Sequence, residues 1–454
     1  MKNEVAGLMP TYLEKLKQLV RIPSISFEGY DQKIIYESAD LVEALLKEIG
    51  AENVQKLIPK SGNPAVFGEL KAGEANPTVL LYAHHDVQPT MRLELWDSPP
   101  FEPEIRGDRL YGRGTADDKA GIVIHLAAAE LAKRHFGAKA PNLKFIIEGE
   151  EESGSECFAD LLKEHKDLLS CDAVIIADLG NFSKGTPTLT TTLRGMGAIE
   201  VELRAMKAPL HSGTWSGPIP DPAQALCKLI ASLTDDAGNI AIEGFCEGLA
   251  PATELEKTSY KTLGLTEQIF RAQAKILDGV KLTVPESEIC EALWRRPSLV
   301  VTAMEAGNRK QAGNVLQESA YARIGVRIAP GMDTEKAVEK LVHHLKAHVP
   351  SGLELKVKEE AGANPFTTDT SHPFFKAMTD AMKAAFGREA KFIGCGASIP
   401  GAETFRNTFG EIPILLLGVE DPECNAHGEN EGLYLPDFEK TIIAETLFFG
   451  ELAK

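Results

Sequence analysis

The chain has 454 residues, 43% of them hydrophobic, too many for one ordinary core and enough for two or three. Its formal charge of −18 repels phosphate backbones and anionic lipid, so neither nucleic-acid nor membrane-surface binding is expected. Seven cysteines without a Cys-x-x-Cys pair argue against a disulfide framework and a thiolate zinc site, and favour a reducing compartment such as the cytoplasm.

The N-terminal segment mixes Lys2, Glu4, Glu14, Lys15 and Lys17 among its apolar residues. No apolar run there has the length of a signal h-region or a spanning helix, so a soluble, unexported protein is expected. Ile34, Ile35, Leu41, Val42, Leu45, Leu46 and Ile49 recur at helical spacing and stop at Gly50, a C-cap. A strand over 79–82 then delivers Ala83-His84-His85-Asp86. Asp117 and Asp118 precede an alanine-rich apolar helix over 122–131, and a helix N-terminus suits carboxylates. Residues 143–147 form a buried-strand pattern, followed by Glu148-Gly149-Glu150-Glu151-Glu152-Ser153-Gly154-Ser155 and a helix over about 157–169. A further strand, 173–177, ends at Asp178.

From Thr191 the pattern changes to alternation, in Ile199, Val201 and Leu203, then Ala322, Ile324, Val326 and Ile328, then Leu353, Leu355 and Val357. A helix over 336–348 and these strands predict an α+β insertion, 191–360. A helix over 373–386 returns the chain, and a strand over 414–417 leads into a loop with His427. The predicted fold is therefore α/β: a discontinuous domain, 1–190 and 361–454, with a mostly parallel sheet flanked by helices, plus the insertion. No Gly-x-Gly-x-x-Gly segment follows a strand, so dinucleotide chemistry is not indicated.

His84, Asp117, Glu152, Asp178 and His427 each follow an apolar run, and α/β sheets bind ligands outside the carboxyl ends of their strands. Any one of the acidic residues reads equally well as a turn former; all five residues together do not. Zinc and similar cations take mixed nitrogen and oxygen ligands, and five protein ligands are enough for a pair, which predicts a dinuclear metal hydrolase. Successive side chains of an extended segment point opposite ways, so of His84 and His85 only one enters the site. Asp86 suits holding the His84 imidazole in one tautomer, or forming a turn. Spacing alone leaves open which of Glu150, Glu151 and Glu152 is the general base.

Tyr82-Ala83-His84-His85-Asp86-Val87-Gln88-Pro89, Leu110-Tyr111-Gly112-Arg113-Gly114-Thr115-Ala116-Asp117-Asp118-Lys119, Glu151-Glu152-Ser153-Gly154-Ser155 and Asn425-Ala426-His427 resemble, in this order, the signatures of the carnosinase and cytosolic nonspecific dipeptidase family. Relatives include acetylornithine deacetylase, succinyl-diaminopimelate desuccinylase, aminoacylases and glutamate carboxypeptidases. The resemblance implies two Zn2+ per subunit, with Mn2+ or Co2+ as substitutes. His84 would bind one, His427 the other and Asp117 both, with Glu152 and Asp178 completing the sites. It implies that Glu151 activates water and protonates the leaving amine, that Asp86 supports His84, and that the Asp117-Asp118 peptide is cis. The insertion becomes a lid and dimerisation domain, whose His211 donates to the oxyanion in the neighbouring subunit of a homodimer. Asn314 and Arg327 would grip substrate oxygens, with Ser398 in a glycine-serine loop.

This chain departs from the family pattern at His85, Glu150 and Ala397, and at Asn314, where the dipeptidase branch often has threonine. The expected activity is cleavage of dipeptides with a free carboxylate. The alternatives are an amidohydrolase for N-acyl or N-carbamoyl amino acids and a catalytically silent metal or peptide-binding protein, against which the retained Glu151 argues. His343 and His344 are expected on a solvated helix face, and the sequence offers no evident histidine partner that would make Cys395 or Cys424 a nucleophile.

Overall fold

The computed structural model describes residues 1–454, except the side chains of Gln311 and Pro400. The chain divides into two compact units, one of Met1–Thr191, Thr368–Ile393 and Pro400–Lys454, the other of Thr192–Thr367 and Gly394–Ile399. Among the described residues no helix is long and apolar enough to cross a membrane.

The first unit is built on a sheet in the order Glu52–Leu57, Ala65–Leu70, Asn142–Glu148, Thr78–His84, Ala173–Ile176, Ile414–Leu416, Thr188–Leu193. Its four central strands, from Asn142–Glu148 to Ile414–Leu416, are parallel, and antiparallel strands flank them. Parallel strands are covered on both faces, which is why Val79, Leu80, Leu81, Tyr82 and Ala83 form an unbroken apolar run that is fully buried. Helices Lys2–Val20, Lys33–Glu48, Lys119–Phe136, Pro373–Phe386 and Leu435–Leu452 contribute to one core with these strands. Gly50, just beyond Lys33–Glu48, has φ +78, the left-handed conformation that ends a helix at low cost for glycine.

Two elements differ from the sequence expectation. The alanine-rich helix starts at Lys119 rather than 122, directly after Asp118, and the segment 157–169 is two helices, Phe158–Glu164 and Lys166–Leu169, broken at His165.

The second unit carries a four-stranded antiparallel sheet in the order Ser298–Glu305, Ser319–Ile328, Gly195–Arg204, Glu354–Glu359. Strict alternation along Ser319–Ile328 buries Ala320, Ala322, Ile324, Val326 and Ile328 on one face, under helices Pro222–Ala231 and Thr334–Ala347. His343 is exposed as expected, but His344 is buried, with Nε2 3.0 Å from Ser232 Oγ and its ring stacked on His348. Helix Thr334–Ala347 turns that position toward its neighbours, which charge-rich surroundings in sequence do not reveal. The unit also includes Gly394–Ile399, outside the span 191–360, because Arg194 Nε donates to the Gly396 carbonyl and Ser398 Oγ donates to the Arg194 carbonyl.

Candidate active site

His84 is the last residue of its strand, so the sheet itself delivers the imidazole at its carboxyl end. Nδ1 faces Asp86, 3.3 Å from Oδ1 and 3.1 Å from the carbonyl oxygen. Nε2 is thereby directed to Asp117 Oδ1 at 3.1 Å and Asp178 Oδ1 at 3.4 Å. His85 points the other way and is fully buried, with Nε2 3.1 Å from the Pro64 carbonyl; burial holds it neutral, its pKa lowered to about 4.

Asp117 is not at a strand end, contrary to expectation. It lies in the turn before helix Lys119–Phe136, and its peptide bond to Asp118 is cis. Its second oxygen, Oδ2, is 3.1 Å from His427 Nε2, which is also 3.3 Å from Glu152 Oε2. One carboxylate thus stands between two histidines, each with its own further carboxylate: Asp178 with His84, Glu152 with His427.

The three consecutive glutamates have three environments. Glu150 accepts from the amides of Asn63 and Cys157, both at 2.9 Å, and so ties down loops. Glu152 accepts from the Gln88 amide at 3.1 Å and from Gln88 Nε2 at 2.7 Å. Asp86 accepts the amides of Glu151 and Glu152 at 3.2 and 3.0 Å, joining the strand-end loop of His84 to the loop of the glutamates. Burial, then the charge of Asp178, raises the Glu151 carboxyl well above its usual range.

The donor set fits divalent cations. Ligand atoms of His84, Asp117 and Glu152 lie within 4.8 Å of one another, as do those of His84, Asp118 and Asp178, and those of Asp117, Asp178 and Glu420. Burial and then neighbouring carboxylate charge push Glu152 up to about 10 and Glu420 well upward, and burial raises Asp178. Asp117, although buried, is held low by hydrogen bonds from His427 and His84. So many buried carboxylates ionise together only with positive charge among them, and cations take nitrogen and oxygen donors of this kind.

Sequence reasoning missed three carboxylates here. Asp118 and Glu420 each belong to one of the three clusters. Glu431 is fully buried and accepts from Arg113 Nη1 at 2.7 Å and from the amides of Gly114, Ala116 and Asp117 at 2.9, 2.9 and 3.1 Å. Its proximity to His427 in sequence was a signal, but its partner Arg113 lies 318 residues away.

The remaining predicted residues are in the second unit. Leu210–His211 pairs antiparallel with Val315–Leu316, and the Ser212 amide donates to the Asn314 carbonyl at 2.9 Å, so His211 and Asn314 are local neighbours. His211 and Asn314 are both exposed. Arg327 Nη1 is 3.3 Å from Ser398 Oγ. Among the described residues no carboxylate lies within 4.0 Å of the Arg327 guanidinium. Beside it, burial and then the charge of Arg327 lower Arg194 to about 10.

Imidazole and carboxylate donors gathered beyond the carboxyl ends of an α/β sheet, beside a half-buried glutamate, define a metal-dependent hydrolase. The chain belongs to peptidase family M20/M25/M40, whose profile matches residues 80–448. It is 31% identical over 415 residues to the cysteinylglycine-S-conjugate dipeptidase of Corynebacterium striatum, covering 91% of this chain and 89% of that one. The structure of the di-peptidase Dug1p from Saccharomyces cerevisiae superposes with a TM-score of 0.85 at 26% identity, covering 100% of this chain and 98% of that one. Human carnosine dipeptidase 1 gives a TM-score of 0.84 at 25% identity, covering 100% of this chain and 98% of that one.

Proposed function

We propose that this chain is a cytoplasmic, homodimeric, dinuclear zinc dipeptidase that cleaves dipeptides bearing a free C-terminal carboxylate. The observation that carries this reading is the half-buried Glu151, whose carboxyl feels the charges of Asp178, His84 and Asp117, beside the cluster of His84, Asp117, Glu152, Asp178 and His427, in a chain whose relatives are named as dipeptidases. His84 with Asp178 takes one cation, His427 with Glu152 the other, and Asp117 both; Mn2+ or Co2+ can substitute. Bound there, the cations supply positive charge that polarises a carbonyl and makes water more acidic.

The rest is the work of the side chains. Glu151 takes a proton from the attacking water and returns it to the leaving amine, a role that needs position more than basicity. Asp86 fixes His84 and, through two backbone amides, the glutamate pair. Arg327 and Ser398 read the substrate carboxylate: a guanidinium without a protein carboxylate partner is suited to one from a ligand. Asn314 holds a further substrate oxygen, and His211 donates to the oxyanion in the neighbouring subunit. A two-fold partner is supported by the edge strand Ser298–Glu305, which leaves Val300, Val301 and Met304 exposed on an unpaired sheet edge.

An amine-release assay over dipeptides and N-acetyl amino acids, with zinc or manganese, tests this reading. Hydrolysis that requires a free substrate amine is the expected result. Indifference to the amine favours the acylase alternative, and no release from any substrate with metal bound favours a silent binding protein.

A further inference from the structure

The loop that presents His427 is conformationally costly. Asn425, His427 and Asn430 have φ of +56, +61 and +59, the left-handed region that side chains with a Cβ seldom occupy, and His427 itself is exposed. Besides its internal bonds, from the Asn425 side chain to the Glu429 carbonyl and from the Gly428 amide to the Asn425 carbonyl, such a loop is held by groups outside it.

Arg92 bonds Glu429, and the Asn430 side chain bonds the Asp97 amide and the Leu95 carbonyl, but the buried holder is an ion pair of Arg113 and Glu431, both almost completely buried. Both carboxylate oxygens of Glu431 are used, Oε1 by the amides of Ala116 and Asp117, Oε2 by the Gly114 amide and Arg113 Nη1. Arg113 Nη2 then donates to the Gly428 carbonyl at 3.0 Å and the Pro89 carbonyl at 3.1 Å. One pair of side chains therefore joins the backbone of Asp117, the residue after His427, and the residue after Gln88, which itself binds both oxygens of Glu152. Asp117, His427 and Glu152 are the donors grouped around one His427-side position. Neither His84 nor Asp178 receives a bond from the pair.

We infer that Glu431 and Arg113 are positioning residues for the cation held by His427, Glu152 and Asp117, and not for the other, which shares Asp117 but whose own ligands His84 and Asp178 receive no bond from the pair. The inference rests on the assignment of those residues as ligands. Groups one step removed from a metal typically change its affinity by about 10–100-fold when altered, and that change is expected at one of the two positions only.

Titration of metal-stripped protein with Zn2+, followed by calorimetry, tests it. The wild-type chain should take up two equivalents; E431Q, of nearly the same shape but without the charge, should bind one as tightly as wild type and the other about 10–100-fold more weakly. R113K is the second variant, since a single ammonium cannot reproduce the planar fork that reaches Glu431 and two carbonyls at once, and it should weaken the same step even if E431Q does not fold. Two unchanged binding steps in a folded variant, even with a lowered melting temperature, would mark the pair as merely structural and overturn the inference. Equal weakening of both steps would overturn it as well. Failure of the wild-type chain to bind two equivalents would instead remove the ligand assignment beneath it.

Discussion

The Nε2 atoms of His84 and His427 each lie 3.1 Å from Asp117, one facing Oδ1 and the other Oδ2, although 343 positions separate the two histidines in the sequence numbering. A carboxylate shared in this way has an oxygen for each of two cations, and two-metal sites hold their ions about 3.5–4 Å apart. Asp117→Asn keeps the shape and removes the charge. We expect metal content measured by mass spectrometry to fall for both positions together, with activity lost in parallel; a variant that keeps both metals would contradict the shared role.

Glu151→Gln separates proton transfer from metal binding. Metal content should stay at the wild-type level while turnover drops at least about 10²-fold, the low end for loss of a general base. Near-normal turnover with both metals bound would assign the base elsewhere.

Glu150 is the internal control for that assignment. Its two oxygens serve the amides of Asn63 and Cys157, so Glu150→Ala leaves two donors unsatisfied and should cost about 1–3 kcal/mol of stability. Turnover of the metal-loaded variant should change little. A loss of turnover comparable to that of Glu151→Gln, with stability intact, would exchange the two roles.

Burial pushes Glu148 up to about 8, against a hydrogen bond from Tyr82 Oη at 2.7 Å. Its ordinary value is 4.5, so between these values the folded chain binds more protons than the unfolded one. The associated stability is complete below the lower value and is lost as pH rises through the upper one. Glu148→Gln retains a carbonyl acceptor and no longer titrates, so its urea midpoint should decline less than that of wild type between about pH 5 and 8. Parallel curves would show that Glu148 stays ionised.

Metal removal follows the same sign. Without cations, Glu152 and Asp178 have raised values, so the stripped protein should lose stability as pH rises, and the gap in melting temperature between loaded and stripped forms should widen toward alkaline pH. A gap that is constant across pH would mean that these carboxylates do not face the cations.

Much of the site was legible because the donors His84 and Asp178 end apolar runs, and the period-two alternation of Ala322, Ile324, Val326 and Ile328 marked the second sheet. Asp117 was found by its motif but expected at a strand end, whereas it lies in the turn before helix Lys119–Phe136, and a turn leaves no periodicity. Glu431 and Arg113 were invisible as a pair, since neither alone differs from a surface charge. The attachment of Gly394–Ile399 to the second unit depends on hydrogen bonds to Arg194, whose partners are some 200 residues away. His344 was misread for a related reason: its charged neighbours in sequence are not its neighbours in space.

Anomalous diffraction from crystals grown with zinc addresses the dinuclear centre most directly. Two peaks about 3.5–4 Å apart are expected, one beside His84 and Asp178, the other beside His427 and Glu152, with Asp117 contacting both. A single peak, or a pair that Asp117 does not bridge, would contradict it.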